Sequence, residues 1–289
     1  MGKDDCKSCC MFVRPPFIHV QHTILLCVCN ICFALMSGHG QSDGERAYVR
    51  DFGDYVTDAL TYVEHVQQTR LASLGYSKSR LPCFLLGHSM GGLIASQMMR
   101  ASYVTASGTV GDVARRSENW PERIWPWTSC ILSSPALAPN PRDAKPILVS
   151  IASTISRLLP KVQVTGLSVD GISRRPEVVE AYKLDPLNWH GRMKARWGYE
   201  MIRNMEEVRK DLSNIDWPVL LIQGDSDLLV HAAGAQIFHD GIASKDKKIR
   251  RWAEGYHELF WDLHHVADAA MKEVGDWVNS HVETATKQK

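Results

Sequence analysis

The 289 residues carry 33 Lys and Arg against 32 Asp and Glu, a net charge of +1, and 45% of them are hydrophobic. That length buries a sizeable core in one domain with room for an excursion. The balanced charge, without a basic stripe, argues against nucleic acid as a partner. Six of eight cysteines (Cys6, Cys9, Cys10, Cys27, Cys29, Cys32) crowd the N-terminus, and only Cys83 and Cys130 lie beyond. No disulfide framework therefore spreads over the chain, and the rest reads as an intracellular-type domain in which Cys83 and Cys130 are packing residues.

Residues 1–37 form an atypical, Cys-rich apolar segment. Thr23 to Met36 is almost wholly apolar, short for a bilayer span, and interrupted by Asn30. Three readings stay open. One is a late signal-peptide core preceded by Lys3, Lys7 and Arg14, against which the long, acid-containing leader argues. Another is a membrane-contacting segment; Gly2, Cys6, Cys9 and Cys10 hint at acylation, although Cys6 stands where myristoylation prefers Ser or Thr. The third is a segment foreign to the fold. Localisation is accordingly open between the cytoplasm and the membrane periphery, with residues 17–36 as the candidate signal or membrane segment.

From Gly38 the pattern is orderly. Val49, Phe52, Val56, Ala59, Leu60, Val63 and Val66 recur at helical spacing, with Asp51, Asp54 and Asp58 on the early turns. Cys83-Phe84-Leu85-Leu86 predicts a buried strand, and Gly92 to Met99 a helix. Ala101 to Thr128 reads as an irregular surface insertion. Ser129 to Ser133 predicts a second buried strand, stopped by Pro135. Asn140 to about Asn214 shows helical patterns broken by Pro160, Pro176 and Pro186 and no convincing strand, as an inserted helical cap does. Val219 to Gly224 is a clear strand and Lys248 to Trp252 a weaker one. Leu263, Val266, Ala267, Ala270, Val274, Trp277 and Val278 form one face of a closing helix. Alternating strands and helices predict an α/β fold with a mostly parallel sheet, its core in residues 38–139 and 215–289 and its cap in 140–214.

Between the first strand and helix stands Gly87-His88-Ser89-Met90-Gly91, a G-x-S-x-G sequence. A sharp strand-to-helix turn there lifts a serine oxygen out of the sheet at the positive end of a helix. The glycines remove side chains that would collide in the bend. A serine needs a base, and a histidine base needs a carboxylate to set its tautomer. Ser89, Asp227 and His257 each stand just beyond a predicted strand, where functional residues of such sheets gather. Asp225 competes for the acid. His264 and His265 fall inside the closing helix, and His88 reads as a packing or pocket residue. Other chemistries fail: His257-Glu258 opens like H-E-x-x-H, but Trp261 occupies the fifth position, so no zinc pair forms. Asp225-Ser226-Asp227 lacks the later ligands of a calcium loop, and no glycine loop cradles phosphate. Neither a metal nor another cofactor is expected.

Gly38-His39-Gly40-Gln41-Ser42-Asp43-Gly44 and Phe84-Leu85-Leu86-Gly87-His88-Ser89-Met90-Gly91-Gly92 closely resemble monoacylglycerol lipases of the α/β-hydrolase superfamily. Ser133-Ser134-Pro135, Asp185-Pro186-Leu187, Gln223 to Asp227 and Glu254-Gly255-Tyr256-His257 are similar too, so the likeness runs from about residue 38 to 280. The resemblance implies Ser89 as nucleophile, Asp227 rather than Asp225 as acid, His257 as base, and the Met90 N–H as an oxyanion donor. It implies a lipid ester substrate, most directly monoacylglycerol cleaved to fatty acid and glycerol, with peripheral membrane contact. Lysophospholipase and serine aminopeptidase-like activities are its variants.

The likeness has a gap. Family members carry an H-G-x-x-E-H loop and several strands well upstream of the segment matching Gly38–Gly44. No such loop occurs in residues 1–37, where His19 and His22 are the only histidines. The sequence therefore reads as N-terminally truncated or replaced, with Ile24–Cys29 or Ile31–Leu35 as one substitute strand. One lost oxyanion donor costs about 10²–10³ in rate, or ~3–4 kcal/mol, and a cut sheet exposes an unpaired edge. A weak or unstable enzyme is expected, and its alternative is a catalytically impaired product that binds lipid or a partner.

Overall fold

The computed structural model describes residues 23–27, 30–34, 36–66, 68–69, 82–107, 127–139, 146–166 and 168–287. The acylation reading at Gly2 to Cys10, and residues 108–126 of the expected insertion, lie outside these. The strands are β1 (Thr23–Cys27), β2 (Asn30–Ala34), β3 (Cys83–His88), β4 (Ser129–Ser133), β5 (Gln163–Thr165), β6 (Met193–Lys194), β7 (Val219–Gly224) and β8 (Lys247–Trp252). The helices are α1 (Phe52–Val66), α2 (Met90–Ser107), α3 (Pro146–Leu158), α4 (Pro176–Leu184), α5 (Ala195–Lys210), α6 (Ala233–Gly241) and α7 (His264–Lys287).

Six strands form one sheet in the order β2-β1-β3-β4-β7-β8. β3, β4, β7 and β8 are parallel, with Leu85 opposite Cys130, Cys130 opposite Val219 and Val219 opposite Lys247. β1 runs antiparallel to both its neighbours. The N-terminal segment, expected to give one substitute strand, thus gives two. Both runs are apolar enough to pair, and the two residues between β1 and β2 match the length of a tight hairpin connection.

The three central strands are buried throughout because helices cover both faces, which is why they read as unbroken apolar runs. Alternate side chains go to opposite layers. Cys83, Leu85, Cys130, Leu132, Val219 and Leu221 join a cluster with α1, α2, α5 and α6 residues such as Phe52, Leu93, Met201 and Phe238. Leu86, Ile131, Leu220 and Ile222 pack instead on Val266, Ala270 and Trp277 of α7. The Trp277 indole Nε1 donates to Ser129 Oγ at 2.7 Å, pinning α7 to β4. β8 alternates in exposure from Lys247 to Arg250, as a strand at the sheet's end does.

α5 belongs to the first of these layers although it lies in the expected cap segment. Trp197, Met201, Met205 and Val208 form its buried stripe. Its buried Glu200 accepts the Phe52 N–H at 3.2 Å, so a side chain satisfies one of the donors that α1 leaves open at its start. Gln97 Nε2 of α2 donates to Asn204 Oδ1 of α5 at 2.8 Å. Two further sequence readings are corrected. α2 runs on to Ser107, beyond the expected start of the insertion at Ala101. The segment expected to lack strands holds the antiparallel pair β5–β6. The helix α6 goes unread because Ala233–Gly241 is short and has few large apolar residues. Among the described residues no helix is long and apolar enough to cross a membrane.

Candidate active site

Ser89 sits between the last residue of β3 and the first of α2 with φ at +53°. A non-glycine residue in that region is strained, and the surroundings hold it there. Its N–H donates to Ser133 O at 3.0 Å, and its carbonyl accepts from Gly92 N at 3.0 Å and Ala136 N at 3.0 Å. Gly87 must lack a side chain: a Cβ would collide with Gly91 O and come within 2.7 Å of Gly91 C. Met90 opens α2, where helix geometry leaves N–H groups without an intrahelical acceptor.

Asp227 follows β7 and His257 follows β8, so both stand, like Ser89 after β3, beyond the carboxyl ends of parallel strands. Asp227 Oδ2 lies 2.8 Å from His257 Nδ1, and both side chains are fully buried. Two further bonds fix the carboxylate: Oδ1 accepts the Leu229 and Val230 N–H groups at 2.8 and 3.0 Å. Gln223 Nε2 adds a third, to Oδ2, at 3.2 Å. A carboxylate at Nδ1 places the ring proton there and leaves Nε2 as the basic nitrogen. That Nε2 is buried and has no hydrogen-bond partner among the described residues.

Burial is the largest influence on His257 and works against its charge. The Asp227 charge, the Asp227 hydrogen bond and the Glu258 charge together outweigh it, so the imidazole is held above its ordinary value. His88 packs its ring on His257, centroids 4.8 Å apart and planes tilted by 54°. The residue immediately before Ser89 therefore touches the histidine beyond β8. Ser134 Oγ donates to the His257 carbonyl at 2.7 Å, and Ser134 is itself held at φ +42°.

The structure thus joins Asp227 to His257 and sets both beside the Ser89 turn. Asp225 is engaged elsewhere, with Oδ1 on Arg251 Nε at 2.6 Å near the surface. His264 and His265 are exposed at the start of α7. Cys83 and Cys130 are buried, and burial pushes the Cys130 thiol up. Gln223, Ser134 and Glu258 are the site residues that sequence reasoning gave no role. Gln223 and Ser134 stand inside motifs the family likeness picks out; Glu258 drew notice only as part of a failed zinc motif. Among the described residues no group of three potential ligands could hold a metal.

A family model described as serine aminopeptidase, S33, matches residues 32–264. Monoglyceride lipase of Rattus norvegicus is 30% identical over 248 residues, covering 86% of this chain and 72% of that protein. Monoacylglycerol lipase of Mycolicibacterium smegmatis is 30% identical over 246 residues, covering 85% and 76%. Among solved structures, the monoacylglycerol lipase of Paleococcus ferrophilus aligns with a TM-score of 0.64 at 26% identity, over 87% of this chain and 83% of that one. On the extent of these matches the chain belongs to the serine aminopeptidase S33 family and has the α/β-hydrolase fold.

Proposed function

We propose that this chain is a serine ester hydrolase that cleaves monoacylglycerol to fatty acid and glycerol. The observation that carries the reading is the buried 2.8 Å contact between His257 Nδ1 and Asp227 Oδ2 beside the strained Ser89 turn, with Nε2 unpartnered among the described residues. His257 Nε2 takes the Ser89 proton as Oγ attacks the ester carbonyl. The imidazolium that forms is stabilised by Asp227, which stays ionised. The Met90 N–H supports the oxyanion. Glycerol leaves with the proton from His257, and water, activated by the same nitrogen, releases the fatty acid. The monoglyceride and monoacylglycerol lipases among its relatives support the substrate class.

The reading divides the chain into a core of 38–139 and 215–289 and a cap of 140–214 whose last helix, α5, also packs on the core. Leu158, Leu159, Leu184 and Leu187 are exposed apolar residues of that cap and would face a lipid surface. The experiment is hydrolysis of monoacylglycerol by the parent and Ser89→Ala, with lysophospholipid, short esters and aminoacyl amides as competing substrates. Parental turnover by an intact Ser89→Ala protein would refute the nucleophile. Faster cleavage of an amide or lysophospholipid would refute the substrate class.

A further inference from the structure

Resting on the base assigned to His257, we propose that Arg174, acting through Asp262, is a positioning residue that straps the cap onto the loop carrying His257. The strap is residues 171–174, between the 3-10 turn Val169–Gly171 and α4. Each of its residues meets a loop beyond the carboxyl end of a strand. Gly171 packs on the loop after β7: a Cβ there would come within 2.6 Å of Leu228 Cβ and 2.7 Å of Leu229 Cδ1. Leu229 is the residue whose N–H holds Asp227 at 2.8 Å. The remaining contacts go to the loop after β8. The Ile172 carbonyl accepts the Glu258 N–H at 2.8 Å, and Ser173 Oγ donates to Trp261 O at 2.8 Å. Arg174 Nε donates to Asp262 Oδ1 at 3.0 Å and Nη1 to Glu254 Oε2 at 3.1 Å. Its guanidinium also lies over the Tyr256 ring, 5.9 Å from the centroid. One short segment thus spans the loops that supply both the acid and the base.

Asp262 carries the hold to the histidine. Its side chain is fully buried. Oδ1 accepts from Arg174 and from the Leu263 N–H at 2.8 Å, and Oδ2 accepts the Tyr256 N–H at 2.7 Å. The last bond closes residues 256–262 into a ring that contains His257. A buried ion pair adds little net stability over well-packed apolar side chains of the same size, so its contribution here is a fixed arrangement. The planar guanidinium sets direction as well as distance, with Nε on Asp262 and Nη1 on Glu254. Asp227 holds the His257 ring and Ser134 its carbonyl. The strap and Asp262 hold the residues on either side, Glu258 through Ile172 O and Tyr256 through Oδ2. A displacement of the cap therefore reaches the base through its two neighbours in the chain.

The test compares p-nitrophenyl acetate, whose acyl group is too short to use the apolar surface of a cap, with monoacylglycerol. Arg174→Ala should lower kcat about 10- to 100-fold on both, since misplacement by about 1 Å costs ~10² in rate, with KM within about twofold of the parent. Arg174→Lys keeps the charge without the fork and should recover part of the loss. Arg175→Ala, which loses only a pair with the exposed Glu177, should match the parent. Amide exchange followed by NMR should show the Tyr256 N–H less protected in Arg174→Ala. Parental kcat in folded Arg174→Ala would overturn the proposal, as would a loss confined to KM for the long ester, the mark of a residue that binds the acyl chain. If Arg174→Ala does not fold, Arg174→Lys and Ser173→Ala decide, and parental kcat in both would overturn it. Full activity in His257→Ala would remove the base assignment and this proposal together. An inactive His257→Ala beside a fully active Arg174→Ala would remove the proposal alone.

Discussion

Gly224→Ala tests how the site is spaced. Gly224 ends β7, three residues before Asp227, and faces the turn that leads into His257. A Cβ there would meet Gly255 O and lie 2.5 Å from both Gly255 C and Tyr256 O, where ordinary contact begins at 3.4 Å. These atoms are backbone, so no rotamer relieves the clash, and the two segments must part by about 0.9 Å. The bond from Ser226 N to Gly255 O, 3.0 Å long, resists that parting and transmits it. Added to the 2.8 Å between Asp227 and His257, such a shift takes their contact beyond hydrogen-bond reach. Misplacement by about 1 Å is worth ~10² in rate, and overpacking about 1–3 kcal/mol in stability. Hydrolysis of a chromogenic ester by a variant with a cooperative thermal melt should show kcat down about 100-fold and KM nearly unchanged. A folded Gly224→Ala protein within twofold of parental kcat would refute the claim that this contact sets the geometry.

Four further outcomes are expected. Asp227→Asn should lower kcat about 10⁴-fold by releasing the wrong tautomer, whereas Asp225→Asn, which loses only a half-exposed pair with Arg251, should cost under about 1 kcal/mol and leave kcat alone; steady-state rates separate the two acids. Because His257 is held above its ordinary value, the acid limb of the rate profile should lie above pH ~6.5. Protonation of His257 should stabilise the fold fully below that ordinary value, a benefit lost as pH rises through the elevated midpoint; thermal melts over a pH series, compared with His257→Gln, read it. Trp277→Phe removes the 2.7 Å bond to Ser129 and should cost about 1 kcal/mol in urea unfolding without changing the rate.

Much of the central sheet was legible because burial on both faces leaves uninterrupted apolar runs: Ser129–Ser133 and Val219–Gly224 stand where the sequence places them. β3 runs two residues further than its apolar core because Gly87 and His88 continue the pairing into the Ser89 turn. The β1–β2 hairpin was half legible, since an apolar run with scattered cysteines does not disclose its own register. The pair β5–β6 is too short for periodicity to register. In the site, Asp227 and His257 could be picked as strand-end residues, but their separation from Asp225 rested on the family likeness until the Arg251 contact appeared. Glu258 was illegible. A charged residue beside a histidine looks like surface, and only the packing of His88 and Ile172 against it shows that it is buried.

Labelling with a fluorophosphonate probe, mapped by peptide mass spectrometry, tests the central claim most directly. A competent site should carry one label on Ser89, abolished in Ser89→Ala and slowed by orders of magnitude in His257→Ala. Labelling at another residue, or none on folded parental protein, would contradict the account.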